Sequence, residues 1–393
     1  MTLTSPAAVG GALDGVVVAD FSRVLAGPYA TMLLGDLGAQ VVKVERPGAG
    51  DDTRAWGPPW FDDQATYFLS VNRNKRSVEI DLRDPEGLEQ ARALARRADV
   101  VVENFKPGAF DAMGLGYDAL RVDNPGLVYA SVSGFGTGRG AELPGYDLLV
   151  QAVGGLMSMT GSRPDEPVKV GVALVDVVTG LHATVGILAA LHHRQRTGQG
   201  QRIYVNLLSS LLSALVNQSS AYAAAGFVPG IMGNRHPSIA PYESYPTADK
   251  PFVIAVGNDA QFRKAMTVLG LTALADDERF ATNPARVVNR DALFDLMCER
   301  LRTEGADLWF DRLSAVGVPC GPINDLEGAF TLAERLGLQP VSTVDGVPTV
   351  TNPIGLSETP VSYRHRPPRL GEGAGDVLAA LGLGDSTSAR PAR

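Results

Sequence analysis

The chain has 393 residues, more than the roughly 100–200 of one ordinary domain; 45% are hydrophobic and 20% charged, a globular balance that excludes disordered and collagen-like classes. A net charge of -8 gives no general attraction to nucleic acid or an anionic membrane. Two cysteines, Cys298 and Cys320, are too few for a disulfide framework and point to a reducing, cytoplasmic setting.

The opening MTLTSPAAVGGALDG lacks the basic and apolar regions of a secretory signal and reads as a short leader. Residues 16–19 form an apolar run, followed by GPYATMLLGDLG, whose apolar spacing and final Gly38 predict a helix with a glycine stop. A second apolar run at 41–44 completes a βαβ unit, whose parallel strands are expected to be buried on both faces. The pattern recurs with a strand at 77–82, a helix opening at Asp84-Pro85 with an N-cap carboxylate, and strands at 100–102 and 127–132. Such alternation predicts an α/β fold with an open, mostly parallel Rossmann-like sheet in the large lobe. From Phe252 a short strand and helices near 259–269, 291–302 and 307–315 predict a smaller mixed α+β lobe. Extended pieces return after Leu338, then a helix at 374–381, and STSARPAR reads as a frayed tail. The expected division is 1–220, 221–335 and a C-terminal segment, 336–393, that returns to the large domain.

The loops after the strands are the chemically rich ones: Asp20-Phe21-Ser22-Arg23, Glu45-Arg46-Pro47-Gly48, Arg83, and Asn104-Phe105-Lys106-Pro107-Gly108. Open α/β sheets bind ligands outside these carboxyl ends. Arg and Lys with neighbouring glycines suit a phosphorylated nucleotide; for any one of them a solvated loop charge is the plainer reading, and only their recurrence favours a site.

Several standard sites are missing. No GxGxxG follows the first strand and there is no GxxxxGK[ST], no G-x-S-x-G and no HExxH, so no metal is expected. The apolar stretch 177–191, interrupted by Thr179, Gly180, His182 and Thr184, is shorter than the roughly 20 residues of a membrane span. It lies in VKVGVALVDVVTGLHATVGILAALHHRQRTGQGQRIYV. Here an apolar strand is expected to run into Asp176, which opens a long helix ended at 197–200, before a strand at 202–205. A carboxylate at that junction meets the positive end of the helix dipole, as either a functional group or an ordinary N-cap.

The blocks LDGVVVADFSRVLAGPYATMLLGDLGAQVVKVERPGAGDDTR, NRNKRSVEIDL, DVVVENFKPG, VALVDVVTG, RTGQGQ, GNRHPSIAPYESY and GVPCGPIND resemble, in this order, the class III CoA-transferases, relatives of formyl-CoA transferase, carnitine CoA-transferase and α-methylacyl-CoA racemase. The resemblance implies an enzyme that moves coenzyme A from an acyl-CoA, such as succinyl-CoA or another dicarboxylic acyl-CoA, to a small carboxylic acid. It implies Asp176 as the nucleophile, and aspartyl anhydride and aspartyl-CoA thioester intermediates. Coenzyme contacts fall on Leu25, Ala26, Arg46, Ile80, Asp81, Leu82, Arg83, Asn104, Phe105 and Lys106. A further basic position of formyl-CoA transferase falls on Ala112, so one phosphate contact is replaced or missing, which keeps open a CoA-binding protein without turnover. The racemases use a His-Asp acid/base pair; this chain has Tyr146-Asp147 there, and a tyrosine is a poor base near neutrality, which favours transfer over carbon-2 chemistry. Tyr146, Gly233, Asn234 and His236 are candidate substrate contacts, with a plain turn at Gly233-Asn234 and a structural histidine beside Pro237 as the alternatives. An interlocked, ring-like homodimer is implied too.

Overall fold

The computed structural model describes residues 10–380; the expected leader begins, and the expected tail lies, outside them. The chain forms two compact units. One comprises 10–156, Val170–Phe227 and 339–380; the other, Met157–Lys169 and Val228–Leu338. The junctions thus fall after Phe227 and Leu338 instead of 220 and 335, and Met157–Lys169, read from sequence as part of the large lobe, goes with the second unit.

The first unit holds six parallel strands: β1 Val17–Asp20, β2 Gln40–Glu45, β3 Lys75–Glu79, β4 Val100–Glu103, β5 Val128–Ser133 and β6 Arg202–Asn206. Their order across the sheet is β3-β2-β1-β4-β5-β6, the doubly wound order in which direction reverses between the first and fourth strands. Both faces are covered. Ala19, Val42, Val78 and Val101 pack with Ala91 and Leu94 of helix α2 (Pro85–Arg97). The alternate residues Val18, Val41, Val100 and Val128 pack with Leu34 of α1 (Ala26–Asp36) and with Ile187 and Leu191 of α4 (Leu174–Thr197). This is the period-two side-chain alternation of a sheet buried on both sides. Helix α3 (Asp147–Val153) precedes α4, and α5 (Leu207–Ala214) follows β6.

Three local expectations change. β3 ends at Glu79 because the Asp81 carboxylate accepts its own Arg83 N–H at 3.0 Å, turning the chain. Asp84 occupies the N-cap of α2 but its side chain makes no cap bond. No strand precedes Asp176: Val170 N–H is taken by Gln151 Oε1 at 2.9 Å and Val175 N–H by Asp147 at 2.8 Å, so the backbone groups that a strand would pair are bound by side chains. Helix α4 then begins at Leu174. It runs beyond the apolar stretch to Thr197, which makes it long and apolar enough by length and composition to span a membrane, yet Ala183, Ile187, Ala190 and Leu191 are buried in the protein core.

In the second unit β7 (Tyr242–Pro246), β8 (Pro251–Ala255) and β9 (Cys320–Pro322) make an antiparallel sheet. Against it α6 (Asp259–Val268), α7 (Arg290–Leu301) and α8 (Ala306–Ser314) build a core around Phe252, Phe262, Phe280, Met297 and Trp309. Back in the first unit, β10 (Val341–Val344) and β11 (Val347–Val350) form a hairpin over Asp345-Gly346, both at positive φ, the conformation a two-residue hairpin turn favours.

Beneath the carboxyl ends of β1–β3 lies a buried ionic network. Lys75 Nζ donates to Asp20 Oδ2 (3.0 Å), Pro28 O and Asn72 Oδ1. Lys43 Nζ donates to Asp51 Oδ2 (2.8 Å) and Ser22 O. Glu45 holds Arg54 through both oxygens at 2.7 and 2.8 Å. Burial alone would push the Asp20 carboxyl up, but Lys75 and Lys43 hold it below its ordinary value; burial likewise opposes Asp51, which Lys43 holds down. For Lys75 burial wins and lowers the ammonium to about 8. The depressed Asp20 and Asp51 contribute stability that is complete above their unfolded value of about 4 and is lost as pH falls through the lower folded values. Lys43→Met removes the Asp51 partner while keeping the stem; unfolding titrations should record a loss of about 3–5 kcal/mol at pH 7, and an unchanged midpoint would refute the network's role.

Candidate active site

A cleft of about 370 Å³ opens where the sheet order reverses, between the loop after β1 and the loop after β4. Its walls include Leu25, Ala26, Asn104, Phe105, Lys106 and Asp176. A second cavity, of about 350 Å³, opens at the opposite edge of the sheet beside Val17, Gln40 and Arg97 and contains none of the expected residues.

The β1 loop is shaped from below. Val24 adopts φ 70, a left-handed conformation unfavourable for a β-branched residue, and its N–H points at the Asp51 carboxylate (3.3 and 3.4 Å). Arg23 and Asn104 then stitch the two loops: Arg23 N–H donates to Asn104 Oδ1 at 2.9 Å, and Asn104 Nδ2 returns to Arg23 O at 2.7 Å. Gly180 of α4 completes the floor. A Cβ there would lie 2.6 Å from Ala26 O, so only glycine lets α4 approach this closely.

Asp176 is the third residue of α4, inside its first turn. The helix is capped from elsewhere: Asp147 Oδ1 accepts Val175 N–H (2.8 Å) and Asp176 N–H (3.2 Å), and Asp147 Oδ2 accepts Gln151 Nε2 (2.6 Å). Asp147 therefore occupies the amides that an N-cap would use and leaves the Asp176 side chain facing the cleft. Burial, and then the Asp147 charge, push the Asp176 carboxyl up to about 7. Tyr67 shares this field; burial and the charges of Asp176 and Asp147 push its phenol to about 12. Asp147 entered the sequence reading only through its neighbour Tyr146, and Gln151 and Tyr67 not at all; Gln151 sits one helical turn after Asp147, the spacing that could have found it.

The other expected residues divide. Ile80 is buried, with its N–H bound to Glu45 O, and Asp81, Leu82 and Arg83 follow it at the end of β3, outside the cleft walls. Arg46 pairs with Asp52, Arg83 with Asp81 at 2.9 Å, and Lys106 with Glu142. All three cations are half or more exposed, and pairs of this kind are weak and salt-screened, which leaves the guanidinium and ammonium groups able to exchange partners. Ala112 brings no charge to the short helix Ala109–Ala112. Tyr146, at the mouth, is 62% exposed. Among the described residues no histidine lines the cleft. Gly233, Asn234 and His236 belong to the second unit. There Gly233 has φ 63, Asn234 Nδ2 donates to Ser244 Oγ at 2.8 Å, and His236 Nδ1 accepts Ser238 N–H at 3.1 Å with its ring 5.1 Å from that of Tyr242.

Residues 13–374 match the profile of CoA-transferase family III. The chain is 45% identical to a succinate–glutarate CoA-transferase of Agrobacterium fabrum, over 94% of this chain and 95% of that protein. It is 41% identical to the human succinyl-CoA:glutarate CoA-transferase, over 93% of this chain and 85% of that protein. A crystal structure of a CAIB/BAIF family protein from Brucella suis superposes with a TM-score of 0.85 at 45% identity, covering 95% of this chain and all of that one. Sheet, cleft and these relatives agree: the chain belongs to CoA-transferase family III and is a CoA-transferase, passing coenzyme A between an acyl-CoA and a carboxylic acid.

Proposed function

We propose that the protein moves coenzyme A from succinyl-CoA, or a similar dicarboxylic acyl-CoA, to a short dicarboxylic acid of the glutarate class, with Asp176 as the covalent carrier. The observation that carries the reading is a desolvated carboxylate, unmatched by any cation among the described residues, on the wall of the switch-point cleft. A carboxylate in water is a weak nucleophile; desolvation and placement raise its reactivity. Ionised Asp176 attacks the thioester carbonyl and expels the CoA thiolate, leaving an aspartyl acyl anhydride. The thiolate attacks the aspartyl carbonyl, giving an aspartyl-CoA thioester and releasing the donor acid. The acceptor carboxylate then attacks that thioester to form a second anhydride and free thiolate, and the thiolate takes the acceptor acyl group, regenerating Asp176. Leu25, Ala26, Asn104, Phe105 and Lys106 would line the coenzyme, while Arg46 and Arg83, at the ends of β2 and β3, would give up Asp52 and Asp81 for phosphate oxygens, with Ile80, Asp81 and Leu82 as backbone support. Tyr146, at the cleft mouth, is assigned to the acyl end, while Gly233, Asn234 and His236 stand as separate candidate substrate contacts of the second unit. The identities to the succinate–glutarate enzymes support the choice of acids, and the absence of a cleft histidine among the described residues weighs against carbon-2 proton transfer.

The reading includes a homodimer in the cytoplasm. Exposed Leu181 and Val185 on α4 and Leu212 on α5 support a partner surface, and unpaired Cys298 and Cys320 suit a reducing compartment.

Asp176→Asn should lower transfer by more than about 10³-fold and abolish the CoA adduct that mass spectrometry detects on the Asp176 peptide after incubation with succinyl-CoA; undiminished exchange would sink the reading. The folded state holds the Asp176 proton more tightly than the unfolded chain, so ionising it costs stability as pH rises from about 4 to about 7; at pH 8 Asp176→Asn should melt at or above the wild-type temperature. Transfer at limiting acyl-CoA should climb with pH through about 7, the sign expected when the reactive form is the carboxylate. In Asp147→Asn this limb should move to lower pH, because the repelling charge is gone; a limb moving upward would contradict the assignment.

A further inference from the structure

Glu103 closes β4 and is 6% exposed. Among the described residues it forms no ion pair. A carboxylate buried without one costs free energy that a leucine would not, so its presence asks for a reason. The geometry offers one: Glu103 Oε2 accepts the N–H of Phe105 at 2.9 Å, folding the side chain forward over its own loop. That loop is also held by the Asn104–Arg23 exchange, by the Lys106–Glu142 pair and the Ala109 N–H donated to Lys106 O at 2.9 Å, and by Phe105, whose ring lies 4.7 Å from that of Phe110 and beneath the Arg23 guanidinium at 5.4 Å. Glu103 thus fixes the middle residue of the segment Asn104–Phe105–Lys106, which faces the cleft.

The surroundings of Glu103 leave its proton exchangeable. From β6 Arg202 attracts it; from the helix Ala109–Ala112 Asp111 repels it and also draws on Arg202 at 3.6 Å; from β5 come the hydroxyls of Ser131 and Tyr129, and Lys106 follows it in the loop. Glu103, Ser131, Arg202 and Phe105 border a cavity of about 300 Å³, and among the described residues Arg202 Nε has no hydrogen-bond partner. Burial outweighs Ser131, the Phe105 amide and Arg202, and pushes the Glu103 carboxyl up to about 7.

We propose that Glu103 is a positioning residue for the coenzyme: as a carboxylate it anchors the Phe105 amide and presents Phe105 and Lys106 to the ligand, so that coenzyme affinity weakens as the solution becomes acidic. This rests on the assignment of the switch-point cleft to CoA. A charge-assisted hydrogen bond is roughly twice as strong as a neutral one, and losing that difference corresponds to a change in Kd of about fivefold.

The test is calorimetric binding of free CoA from pH 6 to 8.5 to wild type, Glu103→Gln and Glu103→Ala, which separates affinity from the titration of Asp176 in turnover. The Gln variant keeps an acceptor for Phe105 but no charge. Wild-type Kd should rise about fivefold from pH 8 to pH 6, beyond the change seen with Glu103→Gln, which carries any titration of the CoA phosphate itself. The Ala variant should bind about tenfold more weakly than wild type at pH 8 but only about twofold more weakly at pH 6, and Gln, which keeps a neutral acceptor, should bind about fivefold more weakly than wild type at pH 8 and equally at pH 6. A general packing defect would not move the pH profile. If Glu103→Gln follows the wild-type pH curve, or Glu103→Ala binds CoA as tightly as wild type, the inference is overturned while the cleft assignment stands. If wild type binds no CoA at any pH, both fall. Should the Ala variant not fold, the wild-type and Gln curves alone decide.

Discussion

The pairing of two buried lysines with Asp20, at the end of β1, and Asp51, in the loop after β2, is the constraint on which the site depends. Lys43 and Lys75 are fully buried, as are Asp20 and, nearly so, Asp51. Removing charges from water is expensive, and is offset only when every partner is in place. The network therefore tolerates few alternative loop conformations. Asp20 gathers the Ser22 amide and the Thr31 hydroxyl, and Asp51 gathers the Thr53 amide and hydroxyl; each carboxylate thus fixes a length of backbone next to the cleft.

Above that foundation, two carboxylates share the start of one helix in different roles. Asp147 accepts the free amides of α4, and Asp176 is left to the cleft. The helix terminus would ordinarily stabilise a carboxylate and lower its pKa; here burial, and then the second negative charge that engages those donors, reverse the direction. A less acidic carboxylate is a better nucleophile toward a thioester and a poorer leaving group from an anhydride, a compromise suited to the covalent carrier we propose.

Much of this was legible in the chain. Runs such as VVVA at 16–19 and VVV at 100–102 are apolar at every position because both sheet faces are covered, so the parallel α/β sheet could be read without knowing which residues paired. The ligand edge followed from the charged loops after each strand, and Asn104, Phe105 and Asp176 do meet in one cleft. What could not be read depends on contacts between distant residues. The cap from Asp147 to Val175 spans 28 positions, and Tyr67 reaches the site from a short helix whose sequence carries no catalytic signature. The strand expected before Asp176 looked persuasive because VKVGVALV is rich in β-branched residues, but β-propensity reports fitness for a half-buried sheet surface, and here side chains of α3 claimed the backbone first. The passage of Met157–Lys169 into the second unit leaves no periodic mark either, since periodicity reveals a buried face and not what covers it.

Val24 gives the β1 loop a consequence of its own. A β-branched residue held left-handed, with its amide turned to a buried carboxylate, stores strain that the surroundings must overcome. Glycine at this position would relax the backbone and, at the same time, free it to wander. A substitution at this one position would therefore trade relief of backbone strain against the order of the binding edge.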